Sequence, residues 1–302
     1  MTTLITGAGG LLGAHMAAAL DGQRVIGLDR HSAWGGLDTE MIQGDLLDDG
    51  WLTRTVGQVA PSVVVHCAAM VDVDACERQP ALAEAYNVGM TRTLARAVSP
   101  GALFVYIATD GIFDGRAPYR TEADVPRPLT AYGRSKLCGE HEVRTACGNH
   151  LIVRTNFYGW SSGRKKTSAE WLYGALDRGE PITGFTDFYF TPIYVVDFVN
   201  RLRRLMASSH RGTFHLCGSE RVSKHQFAMR LAEVAGLPTA SLRAGSIEDA
   251  QLAAPRPRDM SLSSRRFTAL TDLEVPDCLS GLRRFVPDRI RPLSERFVDA
   301  RG

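Results

Sequence analysis

The chain has little net charge, few cysteines and no long apolar run, and each scarcity removes a class of function. Its 35 Lys and Arg against 33 Asp and Glu leave a formal charge of +2. Basic residues gather at Arg201, Arg203 and Arg204 and at Arg283 and Arg284, but acids lie nearby. A nucleic-acid footprint needs a larger basic excess on one face, so no nucleic-acid partner is expected. The six cysteines, Cys67, Cys76, Cys138, Cys147, Cys217 and Cys278, form no C-x-x-C pair, and the eight histidines are dispersed. That leaves no metal-ligand spacing, and free, buried cysteines in a reducing compartment are the simplest account. The longest apolar run is far short of a membrane span. The first strand pattern starts almost at Met1, leaving no room for a signal peptide. A cytoplasmic protein without a membrane partner is expected.

What is present is an ordinary globular composition, 302 residues with 44% hydrophobic and 23% charged. This suits one large domain, or one domain and a smaller lobe. The first half alternates strand and helix patterns: TTLITG, LLGAHMAAAL, QRVIGLD, PSVVVHCAA, ALAEAYNVGMTRTLARAV, GALFVYIATD, TAYGRSKLCGEHEVRTA and NHLIVRTN. In the 81–98 helix, Leu82, Ala85, Tyr86, Val88 and Leu94 fall near one stripe. Apolar strands without alternation, interleaved with helices, predict a parallel sheet covered on both faces, an α/β fold of the doubly wound Rossmann type. The dinucleotide-binding domain is expected to span 1–155. A smaller C-terminal substrate-binding lobe is expected over 156–302, with chain from about 190–218 returning to the sheet. In that half SSGRKKTS reads as a polar loop, AEWLYGALDRG as a helix ending at Gly179, and VVDFVNRLRRLMASS as a helix. GTFHLCG reads as a strand, and KHQFAMRLAEVAG as a helix that Ser223 can cap.

The segment Thr6-Gly7-Ala8-Gly9-Gly10-Leu11-Leu12-Gly13 carries glycines at 7, 10 and 13. The first permits a tight turn out of the strand, the second lets backbone approach a pyrophosphate, and the third lets the helix pack on the sheet. The helix start then offers free N–H donors and partial positive charge to phosphates, with Leu11 and Leu12 in its first turn. Asp29 ends the second strand about 20 residues on, where an acceptor for a ribose hydroxyl belongs. A carboxylate there repels a 2′-phosphate, which tilts the cofactor toward NAD(H) over NADP(H). Arg30 follows directly and could bind that phosphate instead.

The second signal is Tyr132-Gly-Arg-Ser-Lys136, a Y-x-x-x-K pair on one face of a predicted helix. An ammonium near a phenol lowers its pKa from about 10, so that Tyr132 can serve as general acid to a carbonyl oxygen. Lys136 could also hold the cofactor ribose. Thr109 ends the strand ALFVYIAT, at the sheet end where open α/β folds bind ligands, and its hydroxyl can donate to the same oxygen.

TGAGGLLG, Asp29, GDLLD, HCAA, YNV, ATDGIFDG, AYGRSK and RTNFYG, in that order, resemble an extended short-chain dehydrogenase/reductase. Within that superfamily, ATDGIFDG, VDVDACE and RPRDMSL resemble motifs of the dTDP-4-dehydrorhamnose reductases. The resemblance implies Thr109, Tyr132 and Lys136 as the catalytic triad. It implies cofactor contacts from Asp45, Leu46, Ala68 and Ala69, and places Asn87 of YNV with the cofactor-binding residues as a support for Lys136. Three departures lie in the substrate region: Gly111 stands where the family has Tyr, Phe190-Thr191-Pro192-Ile193 replaces G-x-P-T, and Arg154-Thr155-Asn156-Phe157-Tyr158 replaces R-T-S-W-V-Y. The last resembles the R-x-x-N-x-Y-G of sugar-nucleotide epimerases, where the Asn binds substrate.

Candidate substrate contacts are Asp74, Asp110, Asn156 and Arg256. The resemblance places Asp74 and Glu77 near the substrate or in a loop-ordering network, and they read equally as a solvated acidic turn after the PSVVVHCAA strand. Arg256 can match a diphosphate or be a surface loop arginine. With Gly111 after Asp110 there is no second acid for water loss, which argues against a dehydratase. His66 reads as a satisfied core histidine. Phe185, Phe188, Tyr189, Phe190 and Tyr194 read as pocket lining or core. The expected activity is reduction of a nucleotide-linked 4-keto-6-deoxy sugar, with hydride to C4 and Tyr132 as proton donor. The alternatives are an NAD-dependent sugar-nucleotide epimerase and a non-catalytic NAD(P)-binding regulatory subunit. A nucleotide sugar is the expected partner, and a homodimer is possible.

Overall fold

The computed structural model describes residues 1–20, 22–31, 39–161 and 165–300, so the centre of SSGRKKTS lies outside the described residues. The first half runs β1 (Thr2–Thr6), α1 (Leu11–Ala19), β2 (Arg24–Asp29), β3 (Glu40–Gln43), α2 (Asp49–Val59), β4 (Val63–His66), α3 (Val73–Arg78), α4 (Pro80–Glu84), α5 (Met90–Ala97), β5 (Leu103–Thr109), α6 (Ala131–Ala146) and β6 (His150–Thr155). The second half runs β7 (Phe157–Tyr158), α7 (Ser168–Asp177), β8 (Ile182–Phe185), β9 (Tyr189–Phe190), β10 (Ile193–Tyr194), α8 (Val195–Ala207), β11 (Gly212–His215), β12 (Val222–Ser223), α9 (Lys224–Ala235), β13 (Leu242–Gly245), α10 (Arg265–Thr271) and α11 (Cys278–Phe285).

Seven strands pair in parallel in the order β3-β2-β1-β4-β5-β6-β11. This is the doubly wound Rossmann arrangement, with its switch point between β1 and β4. The strands are apolar on both sides because both faces are covered. Leu4, Ile26, Val64, Phe104 and Ile152 pack with α2 and α5, whereas Ile5, Val25, Val65, Val105 and Val153 share a core with α1 and α8. The run of small residues in α1 is buried almost all round, from Leu12 to Ala19, because α8 and the chain near Phe297 close over it. Chain order alone did not mark β3 or α2; the latter is capped by Asp48, whose side chain accepts from the Trp51 N–H at 2.9 Å.

The long helix expected over 81–98 is interrupted. Between α4 and α5 the backbone makes a π-helical turn at Ala85–Gly89, a wider turn of the kind often seen at functional sites. The wider turn rotates the buried face, so Leu82 and Ala85 are exposed, Tyr86 is half-buried, and Ala83, Asn87, Val88 and Met90 point inward. The stripe read at constant helical period is therefore corrected in its first half.

In the second half β11 returns to the main sheet beside β6. Three two-stranded sheets, β7/β10, β9/β12 and β8/β13, build the wall that faces the ends of β5 and β6. Ser223 caps α9 with a reciprocal box: its hydroxyl accepts from the Gln226 N–H at 3.0 Å, and the Gln226 side chain accepts from the Ser223 N–H at 2.8 Å. All six cysteines are free, but only four are buried; Cys138 is exposed and Cys67 half-buried, each fixed by its helix or strand position and not by composition.

Candidate active site

At the end of β1 the chain turns at Gly7 with φ of +62°, and the Gly10 N–H donates to the Gly7 carbonyl at 2.9 Å. A Cβ at Gly7 would stand 2.7 Å from the Ala68 backbone, and one at Gly13 would stand 2.5 Å from the Gly7 carbonyl oxygen. Both contacts are closer than side chains tolerate. The start of α1 thus opens, with no side-chain cap, into a cleft of about 1060 Å³ across the carboxyl ends of the strands. Gly7→Ala is expected to cost about 1–3 kcal/mol of stability through the left-handed backbone alone, and to weaken dinucleotide binding. Urea unfolding and a fluorescence titration measure the two; unchanged values in both would contradict the close approach.

Gly7, Gly10, Leu11, Leu12 and Gly13 line one end of this cleft, with Asp29, Arg30, Asp45, Leu46, Ala68 and Ala69 around them. Asp29 also braces the glycine turn: its carboxylate accepts from the Gly9 N–H at 2.7 Å and the His31 N–H at 3.2 Å. The Arg30 guanidinium lies 5.4 Å from the centre of the Tyr86 ring. The donors of a helix start, a turn that no side chain obstructs and a carboxylate at the end of β2 together fit the pyrophosphate and ribose of a dinucleotide.

Thr109, Tyr132 and Lys136 meet in the middle of the cleft. Thr130 caps α6 by accepting from the Gly133 N–H at 3.0 Å, and Glu77 accepts from the Ala131 N–H at 2.8 Å, so the turn carrying Tyr132 is held from two sides. Burial pushes the Tyr132 phenol well above its ordinary value, a hydrogen bond with Thr109 works the other way, and the Asp110 carboxyl adds to the rise. Burial lowers the Lys136 ammonium to about 7, with Glu140 and Cys67 opposing. Its Nζ sits 4.0 Å from the centre of the Tyr106 ring. The expected lowering of the phenol by Lys136 is therefore corrected: desolvation raises it, the opposing pull comes from Thr109, and the Lys136 ammonium lies over the Tyr106 ring.

Two sequence-derived site residues do not face the cleft. Asn87 is buried behind it. Its Oδ1 accepts from the Met70 N–H at 2.9 Å, and its Nδ2 donates to the Met70 carbonyl at 3.0 Å and the Ser135 hydroxyl at 2.9 Å. With its amide engaged in this way, Asn87 ties the loop after β4 to α6 beside Lys136. Asp74 is in α3, not in a solvated turn. It accepts from the Ala254 N–H at 2.9 Å and pairs with Arg256 at 3.0 Å. It holds Arg256, which lines the cleft, while Asp74 itself does not.

Asp110 and Asn156 lie on the wall beyond Tyr132. The Asn156 Nδ2 donates to Asp110 at 2.6 Å, and the Thr109 hydroxyl donates to the other Asp110 oxygen at 3.1 Å. Burial raises the Asp110 carboxyl to about 6 against these bonds and the pull of Lys224. Lys224 is a charged cleft residue that sequence reasoning did not single out. It is the first residue of α9, and its Nζ stands 3.4 Å from the centre of the Phe190 ring, inside the cleft. The only hint was the Ser223 cap, which places the next residue at the open end of a helix. Phe185, Phe188 and Phe190 line the cleft, whereas Tyr194 is core, its hydroxyl donating to Asp288 at 2.7 Å. A Cβ at Gly111 would make ordinary contacts with Thr109 and Tyr132, so packing does not require glycine there. His66 is a core residue bonded to Thr6 at 2.6 Å and Thr91 at 3.0 Å. Among the described residues no cluster of metal ligands occurs, and no helix is long and apolar enough to cross a membrane.

A parallel Rossmann sheet with a glycine cradle and a Thr–Tyr–Lys set at its carboxyl edge defines an extended short-chain dehydrogenase/reductase. The chain belongs to the family described as RmlD substrate binding domain, which matches residues 1–290. It is 32% identical over 268 residues to the probable low-salt glycan biosynthesis reductase Agl14 of Haloferax volcanii, covering 85% of this chain and 88% of that protein. It is 30% identical over 283 residues to methionine adenosyltransferase 2 subunit beta of Rattus norvegicus, covering 88% and 81%. The crystal structure of dTDP-4-dehydrorhamnose reductase from Bacillus anthracis in complex with NADP superposes with a TM-score of 0.85 at 27% identity, over 95% of this chain and 99% of that one.

Proposed function

We propose that the protein is an NAD(P)H-dependent reductase of a nucleotide-linked 4-keto-6-deoxy sugar. The observation that carries this reading is the convergence of Thr109, Tyr132 and Lys136 beside the glycine cradle, with Asp110, Asn156 and Arg256 on the far wall of the same cleft. Gly7, Gly10, Leu11, Leu12 and Gly13 would hold the pyrophosphate, and Asp29, Arg30, Asp45 and Leu46 the adenosine end. Ala68 and Ala69 would flank the dinucleotide, and Lys136 would donate to its nicotinamide ribose. When bound, the nicotinamide supplies a hydride to the carbonyl carbon. Tyr132 gives its proton to the carbonyl oxygen, and Thr109 orients that oxygen. The high phenol pKa keeps Tyr132 protonated and so able to act as the acid. Asp29 tilts the cofactor toward NAD; the relative from Bacillus anthracis holds NADP, and Arg30 is the residue that would serve a 2′-phosphate.

The experiment is a spectrophotometric screen for NADH or NADPH oxidation with a panel of nucleotide-linked 4-keto sugars. Oxidation of either cofactor with at least one of them is the expected result. NAD that copurifies, with no net oxidation, would replace this reading by the epimerase. The relative named as a methionine adenosyltransferase subunit favours a second reading, a dinucleotide-binding regulatory subunit; cofactor binding with no turnover on any sugar would establish it.

Lys136 makes the cofactor step pH-dependent. With its ammonium lowered to about 7 by burial, the side chain is charged below that pH and neutral above it. Ribose hydroxyls that accept from it favour the charged form, so dinucleotide binding above about pH 7 takes up a proton and weakens as the pH rises, by up to tenfold per unit. Calorimetry in buffers of different ionisation enthalpy measures this uptake. It is expected to vanish in Lys136→Met; uptake that persists there assigns the proton to another group.

A further inference from the structure

The polar wall beyond Tyr132 holds a pair that the hydride and proton steps leave unused. Asp110 is buried, and its carboxylate is gripped from the strand side by Asn156 at 2.6 Å and by Thr109 at 3.1 Å. Across the cleft Lys224 projects from the start of α9, with Nζ 3.4 Å from the centre of Phe190 and 5.3 Å from that of Phe188. The ammonium and the carboxylate feel each other's charge, yet among the described residues no ion pair closes between them. Among the described residues the Lys224 side chain makes no hydrogen bond either; only its backbone N–H does, to the Phe188 carbonyl at 3.0 Å. An ammonium sheathed by two aromatic rings and short of partners retains its donors for a ligand. A carboxylate offers only acceptors when ionised. An acceptor and a donor facing each other across a gap match a hydroxyl, which gives its proton to one and takes one from the other.

Which hydroxyl follows from the connectivity. In the proposed function the single Thr109 proton turns from Asp110, 3.1 Å away, to the reacting carbonyl oxygen, which leaves Asp110 an open acceptor beside it. Two protein groups this close match two oxygens on adjacent sugar carbons, so the oxygen that reaches Asp110 is assigned to a carbon next to the carbonyl. In a 4-keto pyranose one such carbon, C5, carries the ring oxygen and an alkyl group, so the hydroxylated one is C3. We propose that Lys224 and Asp110 together select a sugar with a hydroxyl on C3, and that Lys224 is a specificity-determining residue of this cleft. The assignment rests on the nucleotide-sugar reading above.

The test is equilibrium binding by calorimetry to the protein loaded with NAD+ or NADP+, whichever it takes, with dTDP-glucose and dTDP-3-deoxyglucose as probes. The wild-type chain is expected to bind dTDP-glucose about ten- to a hundredfold more tightly, the range for a hydrogen bond to a charged partner. Lys224→Met, which keeps the length and apolar stem, is expected to lose most of that preference while its affinity for the dinucleotide stays unchanged. A wild-type protein that does not distinguish the two probes overturns the proposal. So does a Lys224→Met variant that keeps the preference, and in that case the reductase reading stands. A protein that binds neither probe also overturns this assignment, while the reductase reading is decided by its own turnover screen.

Discussion

Tyr132→Phe is expected to lower the rate of NAD(P)H oxidation with a nucleotide-linked 4-keto sugar by about 10²–10⁴-fold, the range for losing a positioned general acid. The substitution removes one oxygen from a half-buried ring on the anchored first turn of α6. The α6 start keeps its Thr130 cap and its bond to Glu77, so the variant is expected to fold and to bind dinucleotide with nearly unchanged affinity. The loss should fall on turnover more than on KM, because the proton is given up only as the carbonyl is reduced. Stopped-flow absorbance at saturating cofactor separates the two. Full activity in Tyr132→Phe would remove Tyr132 as the proton donor.

Glu140→Ala is expected to cost about 3–5 kcal/mol, because it breaks a buried ion pair from one side. Glu140 is fully buried and Arg154 nearly so. The Arg154 Nε and Nη2 donate to the two Glu140 oxygens at 2.8 Å each, and Arg144 adds a third bond at 2.7 Å. Alanine leaves the Arg154 guanidinium without its anion, beside His215 and over the Phe113 ring. For a chain of this size the loss corresponds to a fall in melting temperature of about 5–8 °C. Glu140→Met combined with Arg154→Met is expected to recover much of the deficit, since replacing both charges avoids the unpaired one. Differential scanning calorimetry of the three proteins decides; a double variant less stable than Glu140→Ala would show that the pair itself, and not the orphaned arginine, carries the cost. Glu140 also raises the Lys136 ammonium from one helical turn away, so its removal should push that group lower still and move the onset of proton uptake on cofactor binding to lower pH.

The cofactor end of the molecule was legible in the sequence because its determinants are local. A strand that runs into Gly7, a helix that starts after Gly10, and Asp29 at the end of the next strand are each set by a few consecutive residues. The backbone demands at Gly7 and Gly13 are of the same local kind. The Tyr132–Lys136 pair was legible for a similar reason, since spacing on a helix fixes a shared face. The stripe on the 81–98 helix failed where constant period failed: one π-helical turn at Ala85–Gly89 rotates what precedes it.

Sequence alone determined the Rossmann sheet, the glycine cradle and the residue types of the catalytic set, all of which follow from hydrophobic period, turn chemistry and spacing along one element. Tertiary structure alone decided what those residues face. It turned Asn87 and Asp74 into braces for Met70 and Arg256, and it brought Lys224 across from α9 to face Asp110. It also lowered Lys136 while raising Tyr132. The physical reason is the same in each case: charge, burial and hydrogen-bond partnership depend on groups far apart in the chain, and no local pattern records which of them the fold will set side by side.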